Sequence, residues 1–140
     1  MKNPPYEILI VEDNVAHLKL TQYVLQKNKV ESKITVVRDG QEAIDYLFKK
    51  KEEEGMKKLS SPDIILLDLN LPKRDGREVL KLVKEDPVLK FIPVVIVSTS
   101  DREEDVSYAY EFGAAGYISK SSDFTKFSSE LGGVAQYIAS

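Results

Sequence analysis

The stretch IILLDLNLPKRDG, residues 64–76, holds a strand, a polar loop and a helix start in thirteen letters. Ile64, Ile65, Leu66 and Leu67 form an apolar run with no polar alternation, as expected of a strand buried on both faces. The run ends abruptly on Asp68, an ionisable group that is costly at the edge of such a strand unless something pairs with it. Asp75-Gly76 is a turn signal, and beyond it Val79, Leu80 and Val83 recur at helical spacing.

The same unit repeats outward in both directions. Short apolar, β-branched runs at residues 7–11, 33–37, 63–67, 93–97 and 116–118 predict five strands. Residues 15–28 supply a first helix with Asn14 as its N-cap, and Ala43, Ile44, Leu47 and Phe48 form a stripe after Asp39-Gly40. Ser100 and Glu103 have the spacing of a capping box, with Gly113 closing the helix that follows. Phe124, Phe127, Leu131, Val134 and Ile138 outline a last helix weakened by Gly132-Gly133. Five β-α units joined by right-handed crossovers predict an α/β fold, a parallel sheet with helices on both faces. Ligands of such sheets sit beyond the C-terminal strand ends, so the polar residues there are the ones that matter.

With 140 residues the chain has room for one domain with a proper core, not two. The formal net charge of -3 gives no basic field for nucleic acid, and the absence of cysteine excludes disulfides, thiolate catalysis and Cys-ligated metals. No signal peptide or membrane span is read from the sequence, which makes the cytoplasm the expected location. Residues 49–61, KKKEEEGMKKLSS, are a charge run read as a solvated helix extension and loop inserted between the second helix and third strand.

Four strand ends, the first, third, fourth and fifth, bring together Glu12 and Asp13, Asp68, Ser98 and Thr99, and Lys120. Clustered carboxylates repel, and a hard divalent cation relieves the conflict. Mg²⁺ suits the set, since it takes oxygen ligands and binds through one or two carboxylates plus phosphate and water. Asp13 and Asp68 are the candidate carboxylate ligands, Glu12 acts through a coordinated water, and Asn70 adds its backbone carbonyl. Asp68 can attack phosphorus to form an aspartyl phosphate, with Lys120 as a point charge and Ser98 as a hydroxyl donor to a phosphoryl oxygen. Each residue taken singly also has a plain reading: an acidic pair at a helix start, a surface lysine, a loop hydroxyl.

In order and spacing, ILIVEDN, IILLDLNLPKRDG, IPVVIVSTS and GYISK resemble the acidic pair, phosphoacceptor strand, hydroxyl position and lysine strand of response-regulator receiver (CheY-like) domains over nearly the whole chain. Ser98 lies 30 residues after Asp68, and Lys120 lies 22 after Ser98. The resemblance implies a flavodoxin-like sheet in strand order 2-1-3-4-5, with no output domain. It also implies Mg²⁺-dependent transfer of a phosphoryl group from a histidine kinase to Asp68. Such a domain catalyses its own phosphorylation and dephosphorylation without being a turnover enzyme on a small substrate. Its switch would move Ser98 towards the phosphoryl group and change the rotamer of Tyr117, which is otherwise a core-edge aromatic. The inserted segment, DLNLPKRDGREVL and Lys120-Ser121 most resemble single-domain regulators paired with phytochrome histidine kinases. Receivers usually have proline after the lysine, often with a cis peptide; Ser121 stands there instead, and the cost of a non-proline cis bond leads us to expect trans. Thr99 is bulkier than the residue common at its position.

Two other functions compete. A haloacid-dehalogenase-type phosphohydrolase shares the aspartyl-phosphate chemistry but needs a second aspartate two residues past the nucleophile, where this chain has Asn70. A receiver-like scaffold that is not phosphorylated would lack one of the acidic or lysine positions, and none is missing. His17 is read as a surface position on the first helix rather than a phosphoacceptor. The fourth helix, fifth strand and fifth helix are expected to form the face for a partner or a homodimer. Tyr108 and Tyr110 project about 200° apart on a helix, so one must be exposed, whereas Phe124 and Phe127 are expected in the core.

Overall fold

The computed structural model describes residues 3–54 and 62–138. Five strands, β1 (Tyr6–Val11), β2 (Ser32–Val37), β3 (Ile64–Leu67), β4 (Val94–Ser98) and β5 (Gly116–Ser119), alternate with α1 (Val15–Lys27), α2 (Gly40–Glu54), α3 (Gly76–Glu85), α4 (Glu103–Glu111) and α5 (Phe124–Gly132). All strand pairs are parallel, in the order β2-β1-β3-β4-β5, as the resemblance implies. No described helix is long and apolar enough to cross a membrane.

Period-two alternation along each strand divides the core into two layers. Leu9, Val11, Ile65, Leu67, Val94 and Ile96 face Ala43 and Leu47 of α2, Val79, Leu80 and Val83 of α3, and Ala109 of α4. Ile8, Ile10, Ile64, Leu66, Val95, Val97 and Ile118 face Val24 and Leu25 of α1 and Phe127 and Leu131 of α5. Burial on both faces holds for β3 and β4, and for β1 beyond its first two residues, whereas the edge strands β2 and β5 alternate. Every apolar residue of the central strands therefore contributes burial, at about 25 cal/mol per Å² removed from water.

Several helix boundaries follow the expected chemistry. Asn14 Oδ1 accepts from the His17 N–H, and Asp75 and Asp123 cap α3 and α5 in the same way. Gly113 sits just past α4 at φ +96°, a conformation that favours glycine. Three expectations fail. Ser100 is not the cap of α4: Arg102 occupies that position without a side-chain cap, and the Ser100 hydroxyl donates to Asp105 Oδ2 at 2.5 Å instead. The last helix stops at Gly132, and Val134–Tyr137 continues as a 3-10 turn, because two adjacent glycines give too little helix propensity to carry it through. Phe127 is buried, but Phe124 lies on the surface with the Lys27 ammonium 5.2 Å from its ring centroid. Of the charged segment 49–61, residues 49–54 continue α2 and residues 55–61 lie outside the described residues.

Gly76 sets how closely α3 approaches the end of β3. A Cβ added there would overlap the Asp68 carbonyl oxygen and stand 2.6 Å from Leu69 Cα, both of them backbone. Gly76→Ala is expected to destabilise the protein by roughly 2–3 kcal/mol through overpacking. At Gly133 the nearest atoms to an added Cβ are 3.6 Å away, and Ala there should change stability by about 0.5 kcal/mol or less. Equal urea midpoints for the two variants would refute this account.

Candidate functional site

The register of the sheet assembles the polar residues. Val11 pairs with Leu67, so Glu12 and Asp68 leave adjacent strands side by side where the strand order reverses. Lys120 follows β5 and reaches back across β4, where its Nζ donates to Glu12 Oε1 in a short ion pair and to Asp68 Oδ2 at 3.0 Å. The three side chains are 5%, 5% and 10% exposed for Lys120, Glu12 and Asp68. Backbone amides occupy the opposite carboxylate oxygens: Asn70 N–H donates to Asp68 Oδ1 at 3.0 Å and Asn14 N–H to Glu12 Oε2 at 3.1 Å. Asp13 is exposed at the mouth of the cluster, and its carbonyl accepts from Arg38 at 2.7 Å.

Ser98, fully buried at the end of β4, lies beside this cluster in sequence and register: its carbonyl accepts the Lys120 N–H at 2.7 Å. Its Oγ accepts from the Ser100 N–H at 3.2 Å. The Tyr117 hydroxyl donates to the Ser100 carbonyl at 2.8 Å, and burial raises the pKa of that hydroxyl. Cis geometry among the described residues is confined to Pro4-Pro5, so the peptide after Lys120 is trans. Ser121 Oγ donates to the Thr99 carbonyl at 2.5 Å, pinning the loop after β5 to the loop after β4.

Residues 8–131 match the response regulator receiver domain family. The chain belongs to that family. It is 45% identical over 119 residues to the response regulator Rcp1 of a Synechocystis species, covering 85% of this chain and 79% of Rcp1. The crystal structure of the phosphorylated cyanobacterial phytochrome response regulator RcpA superposes with a TM-score of 0.80 at 43% identity, covering 95% of this chain and 93% of that one. The Mn²⁺-bound form of Rcp1 gives 0.79 at 40% identity, covering 95% and 94%. The protein is thus a receiver-domain response regulator of two-component signalling, similar to phytochrome response regulators. Family membership sets aside the phosphohydrolase alternative.

Of the residues named from the sequence, the receiver brings Glu12, Asp68 and Lys120 into direct contact, joins Asn70 to Asp68, and links Tyr117 to Ser98 through Ser100. It does not draw Asp13 into the same hydrogen-bonded cluster. Among the described residues no three Asp, Glu or His side chains converge as ready metal donors, because Lys120 takes the space between two of the acids. Those acids are nevertheless hard oxygen donors with Asp13 beside them, and a single ammonium leaves the buried trio one negative charge in excess. That donor set fits Mg²⁺.

His17 corrects the sequence reading. It is half-buried, and its Nδ1 lies 3.3 Å from Lys120 Nζ, so it borders the site instead of lying free on the surface. Its position in the first turn of α1 was the available signal, since a helix that starts beyond a strand end presents its first turn to that end. Arg77 and Asp105 have no such signal; their meeting across α3 and α4 is purely tertiary.

Burial is the largest influence on Glu12 and raises its carboxyl pKa, while the hydrogen bond and charge of Lys120 pull down without cancelling it. The folded protein therefore holds this proton more tightly than the unfolded chain, and stability falls as pH rises from near the ordinary value of 4.5 through the raised one. In metal-free buffer, Glu12→Gln removes that loss. Urea unfolding from about pH 4 to about pH 7 should show the variant gaining on the wild type as pH rises. A difference that stays constant with pH would contradict it.

Proposed function

We propose that this receiver accepts a phosphoryl group on Asp68 from a histidine kinase in a Mg²⁺-dependent reaction. The observation that carries the reading is the Asp68 carboxylate at the end of a central strand, with Lys120 Nζ on Oδ2 and the Asn70 amide on Oδ1. A carboxylate held this way is fixed in orientation for in-line attack, which is most of what phosphoryl transfer asks of a protein. An Asp68 oxygen forms the new bond to phosphorus, the donor's phosphorus–nitrogen bond breaks, and the imidazole leaves with its electron pair and takes up a proton. Lys120 follows the developing negative charge, and Ser98 donates its hydroxyl to a phosphoryl oxygen. Glu12, Asp13, Asp68 and the Asn70 carbonyl would hold Mg²⁺. When bound, the ion neutralises charge on the phosphoryl oxygens.

Similarity to phytochrome response regulators supports a phytochrome-type histidine kinase as donor and a cytoplasmic setting. The net charge of -3 argues against nucleic acid as the direct target. Output would pass through α4, β5 and α5. Tyr108 is half-buried there, stacked on Phe112 with centroids 4.4 Å apart, whereas Tyr110 is 50% exposed and could anchor a partner or a second copy.

Acetyl phosphate with Mg²⁺ should add one phosphoryl group by intact mass, and EDTA or Asp68→Asn should each prevent it. Undiminished labelling of Asp68→Asn would move the acceptor elsewhere. For self-association, light scattering should show a beryllofluoride-dependent rise in mass that Tyr110→Asp removes; a wild type monomeric at high micromolar concentration in both states would leave that face to a different partner.

A further inference from the structure

Arg77 and Asp105 touch neither Asp68 nor Lys120, yet they belong to a continuous chain of contacts that returns to the phosphoacceptor. Asp105 lies in the first turn of α4 and is 7% exposed. Its Oδ1 accepts from Arg77 Nη2 at 2.5 Å and its Oδ2 from the Ser100 hydroxyl at 2.5 Å. Both bonds favour the charged carboxylate and hold its pKa below the ordinary aspartate value. Ser100 then holds two switch residues through its backbone, Ser98 Oγ by its N–H and the Tyr117 hydroxyl by its carbonyl. At the other end, Arg77 follows Gly76, where an added Cβ would overlap the Asp68 carbonyl oxygen.

We propose that Asp105 is a positioning residue for the phosphoryl-transfer site, acting through Ser100 on the orientation of Ser98, with Arg77 fixing Asp105 in turn. The chemistry is specific. An Oγ that already accepts the Ser100 N–H has its acceptor side turned to the backbone, which leaves its proton to point elsewhere. That proton is what a phosphoryl oxygen on Asp68 requires. Besides Asp105, the Ser100 hydroxyl has only a longer bond, accepted from the Arg102 N–H at 3.3 Å, because α4 begins only at Glu103 and Arg102 gives no side-chain cap. Without Asp105 the serine hydroxyl keeps only that longer bond, and the backbone that aims Ser98 loses its short tether to α4.

This role rests on the phosphoacceptor reading of Asp68, and the test separates the two. Acetyl phosphate labelling rates are measured, per folded molecule by circular dichroism, for Asp105→Ala, Asp105→Asn and Ser100→Ala in the wild-type and Ser98→Ala backgrounds. Asp105→Ala and Ser100→Ala should each slow labelling about 3–10-fold, since small misplacements of a transition-state donor are costly. Neither should slow it further once Ser98 is alanine. Asp105→Asn keeps an oxygen for the Ser100 hydroxyl while losing the charge opposite Arg77, and should recover most of the rate. A clamp that merely joins α3 to α4 would lower the unfolding temperature with unchanged rates, or slow both backgrounds alike. Either result overturns the positioning role and leaves Asp68 as acceptor. A wild type that takes no label overturns the acceptor reading and this role with it.

Discussion

A buried ammonium between two buried carboxylates makes the C-terminal edge of this sheet what it is. Glu12 and Asp68 directly follow the buried apolar runs 8–11 and 64–67, and neither could remain ionised there alone. Lys120 directly follows β5, two strands from β3 and three from β1, so at about 4.8 Å per strand only a long stem reaches back to both acids. The pairing resolves most of the desolvation conflict and leaves some of it, as the raised pKa of Glu12 shows. The trio retains one negative charge, which favours a cation at this edge.

Position in the sheet explains why these residues meet. The crossover from β1 runs to β2 on one side, and the next runs from β2 past β1 to β3 on the other, so the ends of β1 and β3 are not covered by a single connection. Helix starts surround the gap: α1 begins three residues after Glu12, and α3 is drawn in by Gly76. Backbone amides two residues beyond each acid supply the hydrogen bonds that the carboxylates need on their outer oxygens. Asn14 and Asn70 each donate one, so the sheet holds the inner face of each acid and the following loop holds the outer face.

What is legible in the sequence follows from how local each cause is. The central strands show as unbroken apolar runs because both of their faces are buried. Glu12, Asp68 and Ser98 show because each directly follows such a run, and Lys120 because it comes two residues after the short run ending at Ile118. Ser100 misleads for a related reason: a serine three residues before a glutamate satisfies the local rule for a helix cap, yet a buried carboxylate five residues on offers its hydroxyl a charged acceptor, and charge-assisted bonds are roughly twice as strong. Phe124 fits the helical stripe but falls in the first turn of α5, before the helix has closed on the sheet, and only the packed structure reveals that. The pair Arg77 and Asp105 is 28 residues apart, and no periodicity connects them.

That pair also decides how motion at the strand ends can propagate. If the 98–100 loop shifts towards Asp68, the Ser100 hydroxyl either leaves Asp105 or takes it along. Leaving it uncovers a carboxylate that is largely shut off from water and strips one of its two charge-stabilising bonds, whereas taking it along moves α4 against the Arg77 ion pair that ties Asp105 to α3. Tyr108 bears on the same path, since its ring is stacked on Phe112 and its hydroxyl lies 3.5 Å from the Arg77 carbonyl. A displacement of α4 would therefore have to slide against α3 where both Asp105 and Tyr108 meet Arg77. Tyr110, exposed on the same helix, would be carried with it.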